Sequence, residues 1–269
     1  MSVDLVEFST LHLRREGAVL HVTLNRPEVR NAMSLTMVRE MRAVLEQAQT
    51  SGDTRIIVMR GAGGHFCAGA DLKDMAAARM RLVDHPRALV DTNAVFGELC
   101  VAYAQTGIAT VAVLEGTVMG GGFGLACVAD VTIAAPTTNF RLPETSLGVV
   151  PAQIAPFLVE RLGYSQAKRL AVSGARLDAA QALALGLVHE APANEQLDHT
   201  IARVISDILA CAPGAVAATK RLMAKARFNQ AASLVQEAAE VFSAAALGPE
   251  GLEGTTAFLQ KRKASWVPQ

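Results

Sequence analysis

The sequence predicts an α/β protein on three observations. Short β-rich runs alternate with helical ones over the first two thirds of the chain, glycine-rich turns lead into a helix, and the last third reads as helix only. The run AVLHVTL at 18–24 is a strand of branched and apolar residues. A helix starts near Ser34, and its Met37, Met41, Val44, Leu45 and Ala48 fall on one face. Such a stripe is core, not a cofactor box. RIIVMRG at 55–61 is another strand, and TVAVLEG at 110–116 and VTIAA at 131–135 repeat the pattern around a glycine-rich helix. From about Leu197 onward, IARVISDILA and an alanine-rich run from Ala215 read as helices. The expected organisation is a core over 1–196 and a helical region over 197–269, with no linker or low-complexity segment between them.

Composition sets limits on function. A chain of 269 residues is one large or two small domains, and 51% hydrophobic residues supply an ample core. The 25 basic residues balance the 25 acidic ones, which argues against general nucleic-acid or anionic-membrane binding but allows a local basic patch. MSVDLVEF at the start has no basic stretch followed by an apolar core, and no apolar run reaches spanning length. Cytoplasm is the expectation. Cys67, Cys100, Cys127 and Cys211 show no CxxC pairing and read as reduced, and the six histidines lack metal spacing, so no metal is expected.

Two glycine-rich stretches carry the chemistry: RGAGGHFCAGADL at 60–72 and VMGGGFGLACVAD at 118–130. Each brings a bare backbone N–H to a strand end or helix start. A thioester carbonyl that becomes an enolate gathers negative charge on oxygen, and two fixed N–H donors stabilise it where water is excluded. The candidate donors are the amides of Ala70 and Gly121. Neither stretch is a phosphate loop, since no Gly-Lys-Ser/Thr follows, and Cys127 stands where a GxGxxG begun at Gly122 needs its last glycine. Either stretch alone also fits a tight turn with close helix packing; the pair is what points to a site. A third motif, FRLPETSLGVVPAQ at 140–153, sets Glu144 after a proline and before an apolar run. A carboxyl at the edge of a dry pocket has a raised pKa and exchanges protons near neutrality, although a lone glutamate also fits an exposed loop or a helix cap.

In this order and at this spacing the three stretches resemble the crotonase (enoyl-CoA hydratase/isomerase) family over nearly the whole chain. LNRPEVRNAMS at 24–34, GLVHEAP at 186–192 and TTAFLQKRKASW at 255–266 are similar to its other signatures. The resemblance implies a spiral of ββα turns followed by helices that assemble trimers or dimers of trimers. It implies an oxyanion hole at Ala70 and Gly121, and Glu144 as the second of two catalytic glutamates. Where the first belongs, this chain has Gly124. With one carboxylate two chemistries stay open: carrying a proton between C2 and C4 of an enolate, which is isomerisation, or activating water and returning its proton to C2, which is hydration.

The segment GVVPAQIAPFLVERLG at 148–163 and the FGL around Gly124 are similar to bacterial hydratases of methylglutaconyl-CoA and isohexenylglutaconyl-CoA, which favours hydration. Gly124 is expected to leave room for a branched acyl group or an ordered water. The resemblance further implies an acyl-CoA substrate, no cofactor beyond its CoA moiety, and CoA contacts at Arg30, Ala68 and Lys73. Relatives that lost their carboxylates bind RNA or proteins; Glu144 and the glycine pair argue against such a binding-only role here.

Acyl specificity in the family varies over residues 75–92, and Arg79, Arg81 and Arg87 each fit either a partner for a distal substrate carboxylate or a solvated helix face. Glu115 stands where the family commonly has Asn, either turned toward the pocket or holding a strand end.

Overall fold

The computed structural model describes residues 7–268. It divides into two compact units, one holding the chain up to Ala104 and Thr110–Thr200, the other Gln105–Ala109 and the chain from Ile201.

The first unit opens with a β-hairpin, β1 (Leu11–Glu16) and β2 (Val19–Leu24), closed by Gly17 in the left-handed region at φ 57°. β1 buries only Leu11 fully among its six residues. Ser34 caps α1 (Leu35–Ser51) by accepting from the Met37 N–H at 3.2 Å, and all five residues of the predicted stripe are buried, together with Val38. β3 (Ile56–Gly61) runs parallel to β2. Then follow α2 (Leu72–Met80), α3 (Ala88–Gln105), β4 (Ala109–Leu114), β5 (Thr117–Met119), α4 (Gly121–Val128), β6 (Val131–Ala134) and β7 (Asn139–Arg141). α5 (Ala155–Ser173), β8 (Arg176–Asp178) and α6 (Ala179–Ala184) complete the mixed part.

Five strands form one sheet in the order β1-β2-β3-β4-β6, and β5-β7-β8 form a second. β4 is buried at every residue, as a strand covered on both faces must be. The α/β expectation holds, and β6 continues as predicted from VTIAA.

The helical C-terminal region is present as α7 (Leu197–Ala210), α8 (Pro213–Ala226), α9 (Ala231–Leu247) and α10 (Pro249–Leu259). In the second unit Glu250 of α10 accepts from the Gly214 and Ala215 N–H groups at 2.9 and 3.0 Å, so a carboxylate satisfies the positive end of α8. Arg262 closes a two-pronged ion pair on Glu253 at 2.7 and 2.8 Å, and Trp266 donates to the Ala210 carbonyl at 3.0 Å. No single helix among the described residues is long and apolar enough to cross a membrane.

Candidate active site

The first glycine-rich stretch is laced on both sides. Cys67 N–H donates to Thr117 O and Met119 N–H to Cys67 O, while Met33 N–H donates to Gly69 O and Asp71 N–H to Met33 O. Ala70 thus forms a parallel bridge with Met33 through its two neighbours, an arrangement that turns its own N–H to the opposite side. That N–H has no partner among the described residues. Asn31, buried and at φ 56°, ties the preceding loop down: it accepts from Arg26 N–H at 2.8 Å and donates to the carbonyls of Ala62 and His65 at 2.9 and 2.6 Å. The motif LNRPEVRNAMS therefore acts as a clamp on the loop that carries Ala70.

The second candidate donor lies at a helix start. Gly120, at φ 48° and ψ −116°, is the N-cap of α4, and Gly121 is the first residue of the helix. The first N–H groups of a helix have no partner within it, and Gly121 finds none elsewhere among the described residues. Gly121–Val128 is almost wholly buried. At the other end of α4, the Arg161 guanidinium donates to the carbonyls of Cys127, at 2.9 Å, and Ala129. A cation there complements the helix dipole and fixes the direction in which the Gly121 end points.

Glu144 reaches this place from a short 3-10 turn, Glu144–Leu147, which starts at Pro143 and ends at Gly148 with φ 72°. It does not cap α5, whose N-cap is Ile154. The Val149 N–H donates to Glu144 O at 3.0 Å, and Thr145 Oγ1 donates to Ala171 O at 2.9 Å, so the turn is held from both sides. A Cβ at residue 120 would lie 3.1 Å from Glu144 Oε1 and 3.5 Å from Gly69 Cα, which shows how closely both glycine turns and the carboxylate converge. Glu144 Oε2 is buried with no hydrogen-bond partner among the described residues. Burial pushes its carboxyl above the ordinary 4.5, against a smaller opposing pull from its own backbone N–H.

These groups border one cavity of about 510 Å³. Its lining includes Ala70, Gly121 and Glu144, with Met33, Met75, Phe96, Val149 and Ile154 among the apolar walls. Two further carboxylates line it, and both are committed: Asp71 pairs with Arg26 at 2.8 Å and caps α2 at the Lys73 N–H, and Asp74 accepts from Leu35 N–H at 2.6 Å. Glu144 is the uncommitted acid of the site.

The space beside Gly124 is not room for a substrate branch or a water. A Cβ at residue 124 would overlap Ile154 Cγ2, with Ile154 Cβ at 3.2 Å and Phe96 Cζ at 3.5 Å. The position of a first glutamate is thus filled by an isoleucine thirty residues on, and glycine is there because the helix and Ile154 touch. Gly124→Ala is expected to cost about 1–3 kcal/mol by overpacking. Gly124→Ala combined with Ile154→Ala should lose less than the sum of the two single changes, as measured by denaturant unfolding.

The remaining sequence-predicted residues are placed as follows. Arg30, at φ 51°, accepts the Ala68 N–H on its carbonyl at 3.0 Å, so these two are backbone neighbours, and Lys73 lies exposed in the first turn of α2. None of the three lines the cavity. Glu115 turns away to Arg60, with Oε2 2.6 Å from Nε. His65 accepts the Thr117 N–H on Nδ1 at 3.1 Å, and the buried Cys67 thiol is pushed up to about 11 by desolvation, which suits packing and not attack. Of the three arginines only Arg79 reaches the cavity; Arg87 pairs loosely with Asp91 at 3.8 Å. Phe96 and Ile154 are lining residues that motif reading missed, because nothing in α3 or in PAQIAP marks them until the chain is folded.

The sequence model of the enoyl-CoA hydratase/isomerase family matches residues 14–269. The 2,3-dehydroadipyl-CoA hydratase of Escherichia coli (strain K12) is 33% identical over 257 residues, 94% of this chain and 97% of that protein. Among solved structures, Pseudomonas aeruginosa AtuE superposes with a TM-score of 0.93 at 49% identity, covering 97% of this chain and all of that one. An enoyl-CoA hydratase/isomerase from Marinobacter aquaeolei does so with 0.92 at 47%, covering 96% and 99%. With matching motifs, matching fold and a family match over nearly its full length, the chain belongs to the enoyl-CoA hydratase/isomerase family.

Proposed function

We propose that this protein adds water across the 2,3 double bond of a CoA thioester whose acyl group is a branched glutaconyl chain. The observation that carries the reading is Glu144: a buried carboxylate oxygen with no partner among the described residues, beside two glycine turns where the Ala70 and Gly121 N–H groups also have none. The thioester oxygen accepts from the Ala70 and Gly121 N–H groups. Ionised Glu144 takes a proton from water as its oxygen bonds to C3, the π electrons move to form the enolate, and the two donors stabilise the charge on oxygen. Glu144 then returns that proton to C2, so one water is added and the carboxylate is regenerated.

Because Ile154 fills the place beside Gly124, a single group serves both proton transfers. The dehydroadipyl-CoA hydratase named above acts on an acyl chain that ends in a second carboxylate, which supports a diacid monothioester. Arg30, Ala68 and Lys73 are assigned to the CoA portion of the substrate. Apolar side chains exposed on α9 and α10, Phe242, Leu247 and Phe258 among them, support self-association as a trimer or hexamer.

The second reading is isomerisation of a 3-enoyl to a 2-enoyl thioester, favoured by the same single carboxylate, since moving a proton from C4 to C2 needs no held water. Incubation in H₂¹⁸O with product analysis by mass spectrometry separates them. Hydration gives a product heavier by one water with the label at C3, fastest with a branched glutaconyl thioester. Clean isomerisation of 3-enoyl thioesters, with no labelled product from any 2-enoyl or glutaconyl thioester, establishes the second reading instead.

A further inference from the structure

The cavity holds one formal charge that neither the proton chemistry nor the fold uses. Arg79, an exposed residue of α2, lines it, and its side chain has no ion pair or hydrogen bond among the described residues. The other charged groups in the lining are the two committed aspartates and Glu144, so among the described residues Arg79 is its one cation. The wall around it is otherwise largely apolar, with Met75, Leu89, Phe96, Val149 and Val150.

Distance along the helix fits a purpose. α2 begins at its N-cap Asp71, directly after the Ala70 donor, and eight residues of helical rise separate Asp71 from Arg79, about 12 Å. An extended arginine side chain and a five-carbon acyl chain together span that length. An acyl group with an apolar end gains nothing from this cation. One that ends in a carboxylate would need it, because a charged end entering apolar walls requires a charged partner.

We propose that Arg79 selects acyl groups that end in a carboxylate, pairing with that distal group while the thioester oxygen lies against the Ala70 and Gly121 N–H groups. The inference rests on the thioester reading of this cavity and adds to it the residue that sets acyl specificity. Arg79 touches the non-reacting end of the substrate and takes no part in proton transfer.

The test is binding, so that it does not depend on turnover. Calorimetric titration of the full-length protein with two saturated, unreactive thioesters, glutaryl-CoA and butyryl-CoA, compares a distal carboxylate with none. The wild type is expected to prefer glutaryl-CoA. Arg79→Met should weaken glutaryl-CoA roughly 10- to 150-fold, the range for a hydrogen bond to a charged group, and leave butyryl-CoA within about twofold. Arg79→Lys should keep part of the preference.

Equal binding of both thioesters by the wild type, or a preference that survives in Arg79→Met, overturns the assignment. So does equal weakening of both in Arg79→Met, which would mark the side chain as a contact for the CoA phosphates. Failure of the hydratase reading is seen separately: a protein that prefers glutaryl-CoA yet yields no labelled product in H₂¹⁸O keeps the Arg79 assignment and loses hydration.

Discussion

Glu144→Gln is expected to fold, to bind CoA thioesters nearly as the wild type does, and to lose about 10²- to 10⁴-fold in kcat, the range for a positioned acid/base. Glutamine keeps the shape of the side chain in its place beside Gly120 but can neither accept nor return a proton. Steady-state turnover on the best thioester is the measurement, and wild-type kcat in the variant would remove Glu144 from the chemistry. The same residue sets a pH dependence. Its carboxyl is held above 4.5 by burial and must be ionised to act as base, so kcat/KM should rise with pH through a midpoint above that value.

Stability should run the other way over the same window. Between 4.5 and the raised folded-state value, the folded protein keeps a proton that the unfolded chain has released, so stability falls as pH rises. Glu144→Gln should remove that part of the slope in denaturant unfolding at a series of pH values.

The second large effect is expected at Gly121, the proposed oxyanion donor. Gly121→Pro deletes one N–H at the first position of α4, where proline is compatible with a helix, and should cost about 2.7–4 kcal/mol of transition-state stabilisation. The control is Gly121→Ala. It adds a Cβ that would lie 3.2 Å from Phe96 Cζ, as the proline does, but keeps the N–H. The ratio of kcat/KM between the two variants isolates the donor from packing, with circular dichroism and a thermal midpoint confirming that both fold. Equal activity in the two would show that the Gly121 N–H does not carry the negative charge.

Much of this molecule was legible before folding because the signals are local. The methionine and leucine stripe of α1 is written in a 3.6-residue period, and the glycines at 69 and 120 stand where the backbone needs φ of 95° and 48°, which side chains resist. The turn that carries Glu144 is flanked by Pro143 and Gly148, residues whose backbone preferences act within their own neighbourhood. Strand β1, with only Leu11 fully buried, is instead held by its antiparallel pairing with β2.

By itself, then, the sequence determined the α/β class, the helical C-terminal region, the two glycine turns and the carboxylate that faces them, all of which depend on periodicity or on backbone freedom within a few residues. Only the tertiary structure decided what occupies the space beside Gly124, where Glu115 turns, and which of three arginines reaches the cavity. Ile154 fills a hole in a helix thirty residues earlier, and Glu115, in the turn after β4, meets Arg60 of β3. The physical reason is that close packing and ion pairing are settled between surfaces far apart along the chain, where one atom excludes another only after the backbone has brought them together.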